Sequence, residues 1–307
     1  MVFQSVYIVI LNYNGYEDTK NCIYSIQNCK YENFQIVIVD NASSDNSIEL
    51  LQNNFSNHHI IKSEKNGGYS YGMNLGIRYA LDQNAEFILI LNNDTIVDTN
   101  CLDALVQCAN SDKNIGVVSP KVGYIGQEDK LYCGGGDFSV LKGGGVALYQ
   151  GKSFEKYATN NREINFAEGC CLLVSRKVFE KVGLLEEKFF MYFEDLEFAF
   201  RVNKLFKIVF CSNAIIYHRS GAGRRWIDYS ALYYFYYTRN RFWVFSEHNI
   251  FIKIYILLFS TLNTIHKYLV LKIYSFNATQ NKKYDLKKAI KSLKEGFFEG
   301  INLLFVK

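Results

Sequence analysis

The chain has 307 residues, 49% hydrophobic and 21% charged, with a formal net charge of +4. That length accommodates one large α/β domain with an appendage, in the composition of an ordinary globular protein. A single proline, Pro120, excludes a Pro-rich linker.

The charge is uneven. Residues 241–307 hold 11 Lys plus Arg against 4 Asp plus Glu, or +7, which leaves −3 on the first 240. Such a tail suits an anionic surface, with membrane headgroups and nucleic acid as the alternatives. No nucleic-acid recognition motif accompanies it, so nucleic acid is not an expected partner. The eight Cys form no CxxC pair and no zinc-spaced array. They read as reduced, buried, structural thiols of a cytoplasmic protein. The first apolar run, Val6–Leu11, is too short for a signal-peptide core or a spanning helix. The Asn-x-Ser/Thr triplets at Asn41, Asn54, Asn93 and Asn277 then carry no glycan.

In chain order, the pattern predicts a strand over Val6–Leu11, a helix over Glu17–Cys29 and a β-branched strand over Gln35–Val39. A helix over Asn46–Asn54, a strand over His59–Lys62 and a helix over Tyr71–Asp82 follow. Phe87–Leu91 is a strand, Cys101–Asn110 a helix and Asn114–Ser119 a closing strand. Strands alternating with helices imply a parallel sheet with right-handed crossovers. The strands are almost wholly apolar, as expected when helices cover both faces.

In such sheets ligands bind beyond the C-terminal strand ends. The segments found there are Asn12-Tyr13-Asn14-Gly15, Asp40 to Asp45, Asn66-Gly67-Gly68-Tyr69 and Asn92-Asn93-Asp94-Thr95. Turn chemistry accounts for part of this polarity, and four such ends on one edge predict a cleft.

The second half changes character. Gly134–Gly136 and Gly143–Gly145 read as bends or a hairpin loop, with a phosphate cradle as the alternative. Phe166–Ser175 is a predicted strand, Arg176–Val182 a short helix and Phe193–Leu205 a helix. Lys207–Cys211 and Ala214–Tyr217 are final strands. The tail after Tyr229, opening on five Tyr and one Phe by residue 237, is predicted helical. Phe251–Phe276 is apolar but broken by Lys253, Lys267 and Lys272. Its longest uncharged stretch, Ile254–His266, is too short to span a bilayer. Asp285–Phe305 places Leu286, Ile290, Leu293, Phe297, Ile301 and Leu304 at helical spacing opposite several Lys. It is either an interfacial helix or one docked on the protein's own core or a second subunit.

Three features carry chemistry. Asp94, ending the apolar strand at Asn92-Asn93, is placed to hold a divalent cation against a diphosphate. Glu194 and Asp195 open a helix, either capping it or supplying a general base to the cleft. His218 ends an apolar run before Ser220-Gly221, as a structural histidine or a metal ligand.

The ordered set Val9 to Gly15, Val39 to Asp45, Asn66-Gly67-Gly68 with Asn74 and Gly76, Leu91 to Asp94, Gly169 to Leu172, Phe193-Glu194-Asp195 and His218 resembles inverting family-two glycosyltransferases. The likeness is greatest to bacterial enzymes that build rhamnose-containing surface polysaccharides, and it covers residues 6 to about 220. It implies a Rossmann-like, mostly parallel α/β nucleotide-sugar domain over residues 1–225, the A-type glycosyltransferase fold. A helical extension over 226–307 would contact a membrane or a dimer partner. By the same resemblance, Tyr13 and Asn14 lie near the base and Asp40 or Asn41 reads its edge. Asn66, Gly67, Gly68, Asn74, Asn92 and Asn93 shape the donor pocket. Asp94 and His218 bind Mn²⁺ or Mg²⁺, and Asp195 is the base, supported by Glu194. The first acid of the family's Asp-x-Asp motif is Asn92 here, which puts metal affinity in question.

The implied donor is dTDP-rhamnose or a UDP-hexose. The implied acceptor is a growing glycan or lipid-linked saccharide, at the inner face of the membrane. Two other readings compete. A nucleotidyltransferase would carry a basic Gly-rich loop where Asn12-Tyr13-Asn14-Gly15 stands. A degenerate transferase acting as scaffold or glycan-binding subunit fits Asn92, but not the joint presence of Asp94, Asp195 and His218.

Overall fold

Strand β1 (Val6–Asn12) opens the chain, followed by α1 (Tyr16–Gln27), β2 (Phe34–Asp40), α2 (Ser47–Asn54), β3 (His59–Lys62), α3 (Tyr69–Asp82) and β4 (Phe87–Asn92). A short β5 (Thr95–Val97) precedes α4 (Cys101–Asn110), β6 (Ile115–Tyr124), β7 (Gln127–Cys133), β8 (Gly136–Ser139) and β9 (Gly144–Ala147). Then come β10 (Arg162–Ile164), β11 (Cys171–Ser175), α5 (Arg176–Val182), α6 (Glu194–Val202) and β12 (Lys207–His218). Three further helices are α7 (Ala231–Val244), α8 (Ile250–Phe276) and α9 (Gln280–Phe305). This computed structural model describes residues 4–219, 226–276 and 278–305. Ser220-Gly221, the expected boundary at residue 225 and Asn277 lie outside the described residues.

The main sheet runs β10-β12-β6-β11-β4-β1-β2-β3, with β5 paired to β12 and β7 to β6. Strands β4, β1, β2 and β3 are mutually parallel, as the alternating pattern predicts. Two expectations are corrected. The predicted strand Phe166–Ser175 is regular only over Cys171–Ser175, and it runs antiparallel between β4 and β6. Burial on both faces makes an antiparallel central strand as uniformly apolar as a parallel one, so sequence does not separate them. The two predicted final strands are one strand, β12, whose register against β6 shifts between Cys211 and Ile215. That irregularity absorbs the polar break at Ser212-Asn213.

The chain divides into two compact units. The first comprises Met1–Phe138, Gly145–Phe190 and Glu194–Ser220; the second comprises Ser139–Gly144, Met191–Phe193 and Gly221–Lys307. The first unit's core lies on the sheet, where Ile8, Ile10, Ile38, Leu89 and Leu91 are fully buried or nearly so. Each such side chain contributes about 1.5–3 kcal/mol. Helix α3 packs unusually close to β1. A Cβ on Gly76 would lie 2.3 Å from Val9 Cγ1, and one on Gly72 2.3 Å from Leu11 Cδ1. All eight cysteines are free thiols; seven are buried and Cys29 is half-buried.

In the second unit, Leu286, Ala289 and Leu293 of α9 pack with Tyr234 of α7 and Leu271 of α8. Gly300 lets the ring of Phe242 approach within 2.3 Å of where a Cβ would stand. The apolar face of α9 is thus docked on the protein's own core, and the interfacial reading of that helix falls. The reading of Phe251–Phe276 is corrected in the opposite sense. Ile250–Phe276 is one 27-residue helix, long and apolar enough to cross a membrane, with 17% of its most apolar window buried. Winding explains the difference. Lys253 and Lys272 fall near its ends, and Lys267 turns toward Tyr233 and Tyr237 of α7. Phe251, Ile254, Leu258, Leu262, Ile265, Leu269, Ile273 and Phe276 remain as an exposed stripe at steps of three and four.

Candidate active site

Sheet register builds the site. Asn12 pairs with Asp40 and Leu11 with Asn92, so β1, β2 and β4 end on one edge. Asn12 is fully buried and donates to Asp40 Oδ1 at 2.8 Å, while its Oδ1 accepts from Thr19. Thr19 Oγ1 accepts in turn from Asn93 Nδ2 at 2.9 Å. The polar strand ends form one hydrogen-bonded network.

The expected donor-pocket residues divide by exposure. Tyr13 is 47% exposed. Asn14, also exposed and at φ 51°, reaches Ser44 through both ends of its amide. Asp40 is fully buried. Its Oδ1 accepts from Ser43 Oγ and its Oδ2 from Ser43 N, so its carboxylate shapes the loop. Asn41 is also buried and donates to Asn66 Oδ1 at 3.0 Å and to the Gly68 carbonyl at 3.1 Å. Asn66 Oδ1 accepts a further bond from Gly68 N, leaving Asn66 itself exposed beside the turn. Gly68 has φ +88°, and a Cβ there would stand 2.3 Å from the Phe190 carbonyl oxygen, so no other residue fits. Gly67, too, leaves no room for a Cβ beside the Tyr71 ring. Asn74 lies outside this group. It is buried, its amide bonds the Leu185 backbone from both ends, and its Nδ2 also donates to Glu187 Oε1.

Asp94 and His218 meet through the pairing of β5 with β12. That register sets His218 opposite Thr95, next to Asp94. His218 Nε2 lies 3.0 Å from Asp94 Oδ1. Burial pushes the Asp94 carboxyl up, but the His218 hydrogen bond and charge and the Arg219 charge outweigh it, so the net shift is downward. Among the described residues no three His, Cys, Asp or Glu side chains form a ready-made cage. The donor set fits a different kind of site. His218 Nδ1 and Asn92 Oδ1 are buried without a hydrogen-bond partner among the described residues. A carboxylate and an imidazole with open positions suit a divalent cation that completes its shell with substrate phosphate and water.

Asp195 is partly buried at the start of α6. Its Oδ2 accepts from Gly169 N at 3.0 Å and its Oδ1 from Leu196 N at 2.8 Å. Desolvation pushes both Glu194 and Asp195 up, and the Asp195 charge adds to the rise at Glu194. Glu194 Oε2 is buried without a partner among the described residues. The pair therefore holds a proton more firmly than ordinary carboxyls.

Sequence reasoning missed Glu168 and Tyr132. The Tyr132 hydroxyl donates to Glu168 Oε2 at 3.3 Å, and its ring packs edge-on to His218 at 5.2 Å. Burial pushes the Glu168 carboxyl up from 4.5 to about 7, and the Asp195 charge adds to it. The available signal was position: Glu168 is the last charged residue before the apolar run from Cys170 to Val174. A raised folded-state value means that the stability tied to the protonated form is present below about 4.5. It is lost as pH rises through about 7. The neutral variant Glu168→Gln is expected to lose less melting temperature than the parent between pH 5.5 and pH 8.5. Parallel melting curves would sink this assignment.

The sequence profile described as Glycosyl transferase family 2 matches residues 7–183. The chain is 35% identical over 205 residues to a low-salt glycan biosynthesis hexosyltransferase of Haloferax volcanii, covering 64% of this chain and 61% of that protein. It is 26% identical over 201 residues to a dTDP-rhamnosyl transferase of Shigella flexneri, covering 64% and 62%. The chain thus spans less than two thirds of the length of these relatives. Its fold matches a mannosyltransferase of Pyrobaculum calidifontis solved with GDP-Man and Mn²⁺. The TM-score is 0.59 at 12% identity, over 99% of this chain and 85% of that one. The architecture is the A-type glycosyltransferase fold, and the chain belongs to glycosyl transferase family 2.

Proposed function

We propose that the protein is an inverting glycosyltransferase that moves rhamnose or a hexose from a nucleotide-diphosphate donor to a glycan or lipid-linked acceptor in surface-polysaccharide synthesis. The observation that carries this is a pair of carboxylates, each held in place by its own partners. Asp195 is oriented by two backbone N–H groups, and Asp94 is paired with His218.

Asp195 removes the proton of the acceptor hydroxyl as that oxygen attacks the anomeric carbon. Its raised affinity for a proton suits the task, and Glu194 beside it holds the shared proton or binds the acceptor. Asp94 and His218 hold Mn²⁺ or Mg²⁺. When bound, the cation supplies charge that offsets the leaving diphosphate. Tyr13, Asn14, Asn66 and the Gly67-Gly68 turn border the nucleotide, over a floor built by Asp40, Asn41 and Asn93. The names of two relatives, a dTDP-rhamnosyl transferase and a hexosyltransferase, support dTDP-rhamnose or a nucleotide-activated hexose such as a UDP-hexose.

The test is a panel of dTDP-, UDP- and GDP-sugars with Mn²⁺ or Mg²⁺, scored by diphosphate release and by the anomeric configuration of the product. Inversion is expected. Retention would overturn the single-displacement mechanism. Nucleotide binding without turnover of any donor would leave the scaffold or glycan-binding role suggested by Asn92.

Membrane contact, on this reading, belongs to α8 and not to α9, at the inner face of the membrane. The exposed α8 stripe and the net +7 of residues 241–307 support it. Pelleting with anionic vesicles is expected for the parent and not for a Leu262→Glu, Leu269→Glu double variant. If those changes instead dissociate a homodimer in light scattering, the stripe belongs to a second copy.

A further inference from the structure

The second unit carries a cationic cluster that the transfer chemistry leaves unused. Arg241 of α7 and Lys267 of α8 both lie against the ring of Tyr237. The guanidinium is 5.1 Å and the ammonium 5.2 Å from its centre. Tyr233 stands 5.7 Å from the same ammonium; Phe193 and Phe259 lie 5.9 Å and 5.3 Å from the guanidinium. Arg241 is 6% exposed, and its Nε donates to the Gly143 carbonyl at 3.1 Å.

Among the described residues, no carboxylate forms an ion pair with either cation. A buried guanidinium and a half-buried ammonium around the same ring are costly without a counter-ion. The aromatic faces offset only part of that cost. Burial pushes the Lys267 ammonium down to about 8, and the Arg241 charge pushes in the same direction. An anion between the two cations would reverse both effects.

We propose that Arg241 and Lys267 form a binding site for the diphosphate of a lipid-linked acceptor. The guanidinium fork matches two phosphate oxygens, and the ammonium adds a point charge. The lipid source follows from α8 itself. Lys267 sits on its inner face, and its outer face is the apolar stripe, where Leu262 is 69% exposed. This inference rests on the acceptor reading above and extends it to the group that presents the sugar.

The test is calorimetric binding of farnesyl diphosphate and of inorganic diphosphate to the full chain, without nucleotide or metal. Lys267→Met removes a half-buried charge while keeping the stem, so it is expected to fold with an unchanged or raised melting temperature. Farnesyl diphosphate is expected to bind tighter than inorganic diphosphate, and Lys267→Met is expected to weaken it about tenfold or more. Asp94→Ala is expected to leave that binding intact. Equal binding to the parent and to Lys267→Met would overturn the site. Loss of binding in Asp94→Ala would assign the anion to the donor site. Equal affinity for the two probes, or displacement of farnesyl diphosphate by phosphatidylglycerol vesicles, would overturn the prenyl source. A parallel melting experiment with nucleotide diphosphates and Mn²⁺ separates the two failures. Farnesyl diphosphate binding with no nucleotide response sinks the transferase reading; the reverse sinks this one.

Discussion

Asp195→Asn is expected to lower turnover by about 10²–10⁴, the usual contribution of a positioned general base. Donor affinity should stay near the parent value, because on the proposed mechanism the change affects the proton acceptor and not the nucleotide pocket. The backbone around Asp195 sharpens the expectation. Two N–H groups point at its carboxylate oxygens, so an amide in its place must turn a donor toward a donor. Melting temperature must therefore be measured alongside kcat. A well-folded variant that retains turnover within about tenfold of the parent would remove Asp195 from the base role. The parent's pH profile offers a second check. With Asp195 as the base, activity would require its carboxyl ionised, and burial raises its proton affinity, so the acid limb should lie above the ordinary 3.8. An acid limb at or below that value would show a base in a more solvated place.

Asp94→Ala should have the next largest effect. It deletes a carboxylate from the set that suits a divalent cation and leaves His218 without its 3.0 Å partner. In the parent, a saturating nucleotide diphosphate with Mn²⁺ should add about 3 kcal/mol of stability at a hundredfold excess over Kd. The variant should show no metal-dependent part of that shift. Its turnover should fall by about 10²–10³, the scale of losing one electrostatic stabiliser of the leaving group. A metal-dependent shift of parental size in Asp94→Ala would place the cation elsewhere. Asn92 makes this experiment informative. With an amide where the family motif has its first acid, the proposed metal site leans on Asp94, and no second carboxylate at position 92 stands in for it.

The sequence alone determined the βα succession as far as Ser119, apart from the short β5 at Thr95–Val97. Its strands are short, apolar and bounded by Gly, Asn and Asp, and its helices carry the 3.6-residue pattern; both signals are local. It also determined that the polar ends of β1, β2 and β4 share one edge, because alternating right-handed units leave no other arrangement. The pairs Asp94 with His218 and Gly169 with Asp195 were a different matter, since 124 and 26 residues separate their members. Only the antiparallel insertion of β11 and the pairing of β5 with β12 brought them together. Glu168 and Tyr132 became visible for the same reason, being unremarkable in sequence and 36 residues apart. The two terminal helices show the converse. Both α8 and α9 carry apolar residues at helical spacing, and spacing cannot say which face finds a partner. Packing decided it. Glycines in α9 admit α7 at close range, whereas the α8 stripe stays largely exposed among the described residues and Lys267 turns inward against the tyrosines. Burial and charge pairing belong to the sum of contacts around a residue, and that sum exists only once the chain has folded.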